Sequence, residues 1–346
     1  MTNAPAPAAT VQPPYFLGVD VGGTGIKIGL VDDLGQTLAF ESIDTEEPAG
    51  PAAAMSRVVD VLDAFLAARN LTRGDIAAIG LGAPGPLDLA SGLLVEPPQL
   101  PHWANFNLRQ CLADLTGRPV AMNNDANAAA CGEAWLGCGQ GSSSLVLLTL
   151  GTGVGGGIIS DGRLIGGTNS FGGEFGHLIV DPSPTARLCG WGGGRGQLEA
   201  YASATAVMLR TRQRLDQGEP SLLSRIDGEV TPLDVYRAAT AGDPLAIDLI
   251  DEAARWLGVG ITTIVHVLDP GLIAIGGAMT FGGDDSPIGR RFLDQIRAEF
   301  RSRTFENVYE GTRIVFADIG SDAGYLGAAG FARQKLASGP HPNATA

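Results

Sequence analysis

Residues 15–31 read Tyr-Phe-Leu-Gly-Val-Asp-Val-Gly-Gly-Thr-Gly-Ile-Lys-Ile-Gly-Leu-Val, an apolar run followed by a glycine-rich turn and an alternating run. This pattern predicts a strand, a tight turn and a second strand. Residues 145–161 repeat it as Leu-Val-Leu-Leu-Thr-Leu-Gly-Thr-Gly-Val-Gly-Gly-Gly-Ile-Ile-Ser-Asp. When the copies are aligned 128 residues apart, the positions that coincide include Gly23, Thr24, Gly25, Gly29 and Asp33, which fall on Gly151, Thr152, Gly153, Gly157 and Asp161. Two distant copies predict two homologous domains rather than a solenoid.

Strands and helices alternate along the rest of the chain. Between the hairpins, periodicity predicts helices over residues 52–69, 108–115 and 125–136 and strands over residues 76–82 and 119–122. After the second hairpin it predicts helices over residues 198–215, 232–241, 246–267 and 324–336 and strands over residues 272–275 and 314–316. This alternation predicts an α/β fold with a largely parallel sheet.

These elements predict where the domains begin and end. We assign residues 1–14 to a disordered arm, 15–120 to an N-terminal α/β domain with a closing helix at about 322–336, 121–321 to a C-terminal α/β domain and 337–346 to a disordered tail. Within the assigned C-terminal domain, the stretch 137–144 is rich in glycine and serine and is the most flexible-looking internal linker.

Charge and composition exclude several classes of protein. The net charge is −14 and the only lysines are Lys27 and Lys335, so no lysine-rich stripe could neutralise a nucleic acid. The longest apolar stretch, residues 256–267, is too short to span a membrane, and the N-terminus has no signal-peptide pattern. Four cysteines without framework spacing suit a reducing compartment. We therefore expect a cytoplasmic protein that binds neither nucleic acid nor membrane.

The paired glycine turns favour phosphate binding. A turn on Gly22, Gly23 and Thr24 exposes backbone N–H groups and a hydroxyl with no side chain in the way. One such turn alone is more often an ordinary hairpin, but a second copy with threonine at the same place favours a polyphosphate held between the two. Asp20 is placed to hold a metal that bridges phosphates, and Lys27 is placed to offset the phosphate charge. The plainer interpretations are that Asp20 is an ordinary turn residue and that Lys27 is an ordinary surface residue.

Two nucleotide-binding motifs fail on their context. The glycines of residues 151–156 fit a dinucleotide fingerprint, but an alternating strand follows where a helix is required. The sequence contains no Gly-x-x-x-x-Gly-Lys-Ser/Thr, which excludes a P-loop.

Polar residues cluster in three further segments. The segment Asn123-Asn124-Asp125-Ala126-Asn127 joins a predicted strand to a predicted helix, and one of these side chains could simply cap that helix. Four polar side chains exceed what one cap needs, and a carboxylate there could accept a hydroxyl proton during phosphoryl transfer. Glu174 and His177 lie three residues apart, and Glu199 begins a helix, where a first-turn acid is the plainer interpretation.

Together these motifs resemble the ROK family of bacterial sugar kinases, repressors and open reading frames. The resemblance rests on five motifs in matching order from about Tyr15 to Lys335, namely Asp20-x-Gly-Gly-Thr24, Asn124-Asp125-Ala-Asn-Ala, Gly151-Thr-Gly153, Glu174-x-Gly-His177 and Leu198-Glu199-Ala-Tyr-Ala-Ser203. It implies an actin-like ATPase (ribonuclease H-like) fold of two α/β domains around a central cleft. It also implies ATP between the glycine hairpins, a sugar deep in the cleft, and a homodimer.

The resemblance implies a role for each matching residue. Asp125 resembles the catalytic base for the sugar hydroxyl. The sugar ligands are implied to be Asn124, Glu174, His177 and Glu199, with a sugar-side loop at Gly82-Ala-Pro-Gly85. The nucleotide contacts are implied to be Gly22, Gly23, Thr24, Lys27, Gly151, Thr152, Gly153 and the adenosine-side turn Gly276-Gly277, with Asp20 for magnesium.

The sequence departs from the family at its structural zinc site. The family pattern Cys-x-Cys-Gly-x-x-Gly-Cys retains only Cys189 here, because Trp191 and Gln197 stand where two further cysteines belong and the loop is one residue longer. In the family, the three cysteines bind zinc together with the histidine of the preceding motif, which corresponds to His177 here. With two of these four ligands lost, we expect no zinc, and we expect His177 to serve the sugar alone.

The leading prediction is an ATP-dependent hexose kinase of glucokinase type that makes a sugar 6-phosphate. The alternatives are a kinase for fructose, mannose or N-acetylglucosamine and a non-catalytic sugar sensor. A repressor is disfavoured, because only 14 residues precede Tyr15 and a helix-turn-helix needs about 60 to 80 residues. The sequence distinguishes neither the preferred hexose nor ATP from polyphosphate as the donor.

Overall fold

The structure is a computed structural model that describes residues 11–190 and 192–338. Most of the predicted arm and tail, and Trp191, lie outside these residues. The chain divides into two compact units. Unit 1 runs to Trp135 and resumes at Asp322, and unit 2 comprises Leu136–Ser321.

The described residues form regular strands and helices in both units. In chain order the strands are β1 (Tyr15–Val21), β2 (Gly25–Val31), β3 (Thr37–Asp44), β4 (Ile76–Ala83), β5 (Leu87–Asp88), β6 (Leu93–Leu94), β7 (Phe106–Asn107), β8 (Val120–Asn124), β9 (Leu145–Leu150), β10 (Val154–Ser160), β11 (Arg163–Leu164), β12 (Leu272–Gly277) and β13 (Arg313–Phe316). The helices are α1 (Pro51–Ala67), α2 (Leu108–Thr116), α3 (Asp125–Leu136), α4 (Glu199–Ala202), α5 (Ala204–Asp216), α6 (Pro232–Thr240), α7 (Pro244–Leu268), α8 (Pro287–Arg303), α9 (Glu306–Gly311) and α10 (Ala323–Ser338).

Each unit contains a five-stranded sheet, and the two sheets have the same design. The strand order is β3-β2-β1-β4-β8 in unit 1 and β11-β10-β9-β12-β13 in unit 2. In both, a glycine hairpin supplies antiparallel strands at one side and the strands after it add in parallel. The predicted duplication therefore extends from the hairpin to the whole sheet. The prediction of a largely parallel sheet was wrong, because the three hairpin strands of each sheet run antiparallel.

The unit 1 core lies between the sheet and its helices. Leu17, Val19, Ile26 and Ile28 are buried with α1 residues on one face. On the other face α10 approaches the strands so closely that a Cβ at Gly18 would lie 1.9 Å from the Tyr325 carbonyl oxygen. Only glycine fits there, so this glycine serves packing rather than a site.

In unit 2, α7 forms the centre of the core. Leu249, Ile250, Leu257 and Ile261 are buried along one face of α7, at the spacing of an amphipathic helix. Asp243 caps this helix by accepting from the N–H of Ala246.

The structure differs from the predicted elements at several places. The helix predicted over residues 198–215 divides at Ser203, whose hydroxyl accepts from the Ala206 N–H and so caps α5. The division into units falls at Leu136, at the predicted linker, rather than at residue 121, because β8 pairs with β4 and α3 packs against α10. The elements that the sequence did not predict are β3, β5 to β7, β11, α8 and α9.

None of the helices within the described residues combines the length and apolar character needed to cross a membrane.

Candidate active site

The tip of the first hairpin turns its carbonyl groups toward Thr45. The Thr45 hydroxyl donates to the Gly22 carbonyl at 2.7 Å, and the Thr45 N–H donates to the Thr24 carbonyl at 3.0 Å. Thr45 is fully buried at the end of β3, whereas the Thr24 side chain is exposed. The carbonyl groups are therefore satisfied on the protein side of the turn.

The tip of the second hairpin is held in the same way by the start of α5. The Ala204 N–H donates to the Gly151 carbonyl, and the Thr205 hydroxyl donates to the Thr152 carbonyl, both at 2.8 Å. Thr152 is exposed like Thr24, and a Cβ placed on Gly151 would meet nothing within 4 Å.

Both tips present N–H groups that have no hydrogen-bond partner in the part of the chain that the structure describes. Within the described residues, no hydrogen bond is donated by the N–H groups of Gly23, Thr24, Thr152 or Gly153. Exposed N–H groups beside a threonine hydroxyl form the kind of concave backbone that binds phosphate oxygens. In each unit, the predicted phosphate contacts therefore offer hydrogen-bond donors to the phosphate oxygens of a nucleotide.

The carboxyl ends of the parallel strands in unit 1 bring polar residues into register. Asp20 of β1 lies opposite Gly82 of β4, and Gly82 lies opposite Asn123 of β8. Lys27 pairs with Asp20 across the hairpin, so their side chains share one face of the sheet. Ligands of open α/β sheets bind at this edge.

The electrostatics at this edge are dominated by two aspartates. Desolvation, with the nearby charge of Asp125 as a second cause, raises the pKa of Asp20 to about 6, and Lys27 opposes the shift. Asp20 lies close to the start of α10, where a Cβ on Gly324 would be 2.1 Å from its Oδ2. Two carboxylates with hard oxygen donors and one lysine suit Mg²⁺ with phosphate, so the residues present fit the predicted metal.

Asp125 is the first residue of α3. Its Oδ1 accepts from the Ala126 N–H at 2.8 Å. Desolvation raises the pKa of Asp125 above its ordinary value, against this backbone hydrogen bond, which lowers it. The side chain nevertheless stays accessible to solvent, so the shift reflects a partial loss of hydration and not full enclosure.

Asparagines on either side hold the turn that presents Asp125. Asn123 Oδ1 accepts from both the Asn124 N–H and the Asn127 amide at 2.9 Å, and Asn124 Oδ1 accepts from the Asn127 N–H at 2.7 Å. Asn124 is thus a helix cap as well as a predicted sugar ligand. Its oxygen accepts this one hydrogen bond, and its amide NH₂ can donate to a sugar hydroxyl.

In unit 2, Glu199 is held against the second hairpin. Its Oε2 accepts from the Val154 N–H at 3.0 Å and its Oε1 accepts from the Cys189 thiol at 3.3 Å. A Cβ on Gly153 would lie 2.2 Å from Oε2, and one on Gly176 would lie 3.3 Å from it. Glycine at these positions is therefore required for the carboxylate to reach the hairpin.

The Glu174 to His177 turn lies beside the same hairpin. Phe175 is buried against Gly156, and the His177 N–H donates to the Glu174 carbonyl at 3.1 Å. Both Glu174 and His177 are half-buried.

Two further predicted segments also lie at strand ends. Gly276 and Gly277 end β12 beside the start of the second hairpin, in register with Thr149 and Leu150. Gly85 follows the end of β4 in unit 1.

The predicted residues thus assemble into one group in each unit. Unit 1 brings together Asp20, Lys27, Asn124 and Asp125, and unit 2 brings together the second hairpin, Glu199 and Gly277, with the turn of Glu174 and His177 beside them. The sequence reasoning missed Thr45, Thr205 and Gly324. A threonine after a charged edge strand carries no local signal, and Gly324 could have been found only from the close approach of α10.

The sequence keeps two of the four donors of the family zinc pattern, Cys189 and His177. Among residues 11–190 and 192–338, no cluster of three or more His, Cys, Asp or Glu side chains could hold a metal ion. The Gln197 side chain lies against Gly194, and an amide is a poor substitute for a thiolate. The residues present do not fit zinc.

Comparisons with known proteins cover nearly the whole chain. The model of the ROK family matches residues 16–335. A glucokinase of Halalkalibacterium halodurans is 35% identical over 93% of this chain and 96% of its own. The structure of a ROK hexokinase from Thermus thermophilus superposes with a TM-score of 0.81 at 32% identity, over 94% of this chain and 100% of that one. The structure of a ROK-family glucokinase from Streptomyces griseus in complex with glucose and AMPPNP gives 0.70 at 34% identity, over 93% and 100%.

Proposed function

Because the chain belongs to the ROK family, we propose that it is an ATP-dependent hexose kinase and that glucose is its preferred substrate. The single observation that supports this most is the identity of 33–35% to curated glucokinases over 92–93% of the chain. The predicted actin-like ATPase fold is confirmed by the solved ROK structures. The 6-hydroxyl is the proposed acceptor.

In the proposed reaction Asp125 is the general base. Its carboxylate accepts the proton of the sugar hydroxyl as that oxygen bonds to the γ-phosphorus and the bond from this phosphorus to the oxygen of ADP breaks. The sugar phosphate and ADP leave, and the proton passes from Asp125 to solvent. A base with a raised pKa is the better proton acceptor, provided that it is ionised at the working pH.

The glycine hairpins hold the nucleotide in this proposal. Gly22, Gly23 and Thr24 in unit 1 and Gly151, Thr152 and Gly153 in unit 2 donate N–H and hydroxyl groups to phosphate oxygens, and Gly276-Gly277 borders the adenosine. Lys27 offsets phosphate charge. Magnesium, when bound with ATP, neutralises charge on the phosphates, and Asp20 is the residue proposed to hold it.

The proposed sugar ligands are polar groups of the two units. In unit 1 these are the Asn124 amide NH₂ and the Gly82–Gly85 loop. In unit 2 they are Glu174, His177 and Glu199. Both Glu199 oxygens already accept one hydrogen bond, yet each retains a second lone pair for a sugar hydroxyl.

The test is a hexose panel. The full chain is incubated with MgATP and glucose, mannose, fructose or N-acetylglucosamine, and ADP release is followed. We expect the highest kcat/KM with glucose. ADP release only with another hexose would reassign the substrate. Hexose binding without ADP release would indicate a sensor, and substituting polyphosphate for ATP tests the donor.

We further propose that the kinase is a cytoplasmic homodimer. This follows the expectation from the family resemblance. Light scattering of the purified chain should give twice the mass of 35.6 kDa, and a monomeric mass would contradict the proposal.

A further inference from the structure

The Cys189 thiol contacts the Glu199 carboxylate, and we infer that Cys189 is a positioning residue that holds Glu199 for the sugar without a bound metal. This role rests on the proposed kinase function, in which Glu199 accepts a sugar hydroxyl. Cys189 is the one cysteine of the family zinc pattern that this sequence keeps. In this chain Cys189 orients Glu199 instead of binding zinc.

The contact requires the thiol and not the thiolate. Cys189 is buried, and its Sγ lies 3.3 Å from Glu199 Oε1, where the S–H donates to a carboxylate. A thiol is a weak donor to neutral groups, but a charged acceptor strengthens the bond. A zinc ligand would have to be a thiolate, and a thiolate at this distance would repel Glu199. The observed pair is therefore suited to a site without metal.

The carboxylate is fixed from two sides. The Val154 N–H holds Oε2 and the Cys189 thiol holds Oε1, so Glu199 has one orientation. Loss of the thiol would leave only the hairpin contact, and the carboxylate could rotate about its last bond. Because sugar ligands must be placed closely, loss of this orientation should weaken sugar binding.

Side chains fasten the loop that carries Cys189, here called the cysteine loop (residues 181–190 and 192–197). At its start the Tyr201 hydroxyl donates to Asp181 Oδ2 at 2.7 Å and accepts from the Arg187 N–H at 3.0 Å. The Arg187 guanidinium lies 4.6 Å from the centre of the Tyr201 ring and pairs with Glu252 of α7. The Trp256 ring of α7 also packs against the Tyr201 ring, and the ring centroids are 4.3 Å apart.

Backbone contacts close the cysteine loop on itself. The Cys189 N–H donates to the Gly194 carbonyl at 2.7 Å, and the Gly196 N–H donates to the Arg187 carbonyl at 2.9 Å. Gly196 has φ +75°, and a Cβ there would lie 1.9 Å from the Asp181 carbonyl oxygen, so only glycine allows this closure. Tyr201, two residues after Glu199, thus ties the cysteine loop to α4 and α7 and places Cys189 without a metal ion.

The first experiment measures metal. The full-length wild-type chain is purified without added zinc, analysed for metal, treated with a chelator and returned to magnesium. We expect far less than one zinc per chain, with glucose affinity unchanged after chelation. One tightly bound zinc whose removal abolishes glucose binding would overturn the inference.

The second experiment removes the thiol. Cys189→Ala removes the donor, Cys189→Val removes it while keeping bulk, and Cys189→Ser restores a donor. We expect Cys189→Ala and Cys189→Val to raise the glucose Kd, measured by calorimetry, and the glucose KM by about ten-fold or more. The ATP KM should change by less than about two-fold. Cys189→Ser should recover part of the lost glucose affinity. Cys131→Ala, which removes another buried thiol from α3, is the control and should leave the glucose Kd unchanged.

The outcomes separate this inference from the proposed function. If wild type binds glucose but releases no ADP, the kinase proposal fails while the Kd series still tests Cys189. If wild type is an active kinase and folded Cys189→Ala or Cys189→Val binds glucose normally, only the role of Cys189 fails. A Cys189→Ser variant no better than Cys189→Val would also overturn the role, because donation by the side chain is its basis.

Discussion

Asp125 and Asp20 are neighbouring carboxylates with raised pKa values, and their environments separate their roles. Asp125 begins a helix, keeps access to solvent and accepts a hydrogen bond only from its own turn. Asp20 lies near the end of a buried strand, pairs with Lys27 across the hairpin and packs on Gly324 in the first turn of α10. The surroundings of Asp125 suit a base that accepts a proton from a bound hydroxyl, and those of Asp20 suit a residue that binds a cation.

Replacing Asp125 with Asn should lower kcat by about 10²- to 10⁴-fold while leaving the glucose Kd within about threefold, since the amide keeps the shape but cannot accept a proton. The base works when ionised, so wild-type kcat/KM should fall as the pH drops through its raised pKa. Steady-state rates and calorimetry check both points. Asp60→Asn, at an exposed position on α1, is the control. Near-normal turnover of Asp125→Asn would place the base elsewhere.

Replacing Asp20 with Asn should stabilise the unliganded protein at pH 8. The pKa of about 6 in the folded protein lies above the ordinary aspartate value of 3.8, so ionisation of Asp20 opposes folding and stability is lost as pH rises through this window. This difference in pKa sets an upper limit of about 3 kcal/mol on the gain in stability, which should vanish near pH 4. Urea unfolding at both pH values measures it. If Asp20→Asn were no more stable than wild type at pH 8, the raised pKa of Asp20 would be contradicted. The variant should lose kinase activity as it gains stability.

At the scale of elements, the two hairpins depend on threonines outside them. Thr45→Val should leave the Gly22 carbonyl without its buried hydrogen-bond donor and so lower the free energy of unfolding by about 1–3 kcal/mol. The ATP KM should rise several-fold, and the glucose KM should not change. The reason is that the turn loses the contact that directs its N–H groups outward. Thr116→Val is the matched control, because its hydroxyl is equally buried but bonds within α2. If both variants change the ATP KM alike, the effect is general destabilisation.

The sequence was most informative where one element carries its own signals. The helix over residues 125–136 was predicted with its observed ends, since polar capping residues precede an alanine-rich run. The helix α8 was missed although Ser286 caps it and Pro287 begins it, so a local signal was available there. The edge strand β3 alternates weakly and is largely exposed, and only pairing with β2 defines it. The candidate site divides in the same way. The motif residues could be predicted, but contacts such as Cys189 with Glu199 depend on the path of a loop through space.

For the whole molecule, the question is how a chain of net charge −14 attracts an anionic nucleotide. Many of its arginines are committed to ion pairs, for example Arg73 with Asp63, Arg214 with Glu219 and Arg291 with Asp251. In the proposed nucleotide site, attraction is short-ranged and comes from N–H groups at the hairpins and from Lys27, while the long-range field repels. Salt screens the long-range part over about 10 Å at 0.1 M ionic strength and leaves the close contacts largely intact.

The kcat/KM for MgATP should therefore stay level or rise up to about two-fold as salt increases from about 20 to 150 mM, because screening relieves repulsion during approach. A protein that attracts nucleotide through a positive surface would show the opposite, a steep fall. Initial rates with saturating glucose over a potassium chloride series measure this. The kcat/KM for uncharged glucose at saturating MgATP is the internal control and should not change. A steep fall for MgATP alone would show that a local positive field outweighs the net charge, and Lys27→Gln would then identify whether this lysine supplies it.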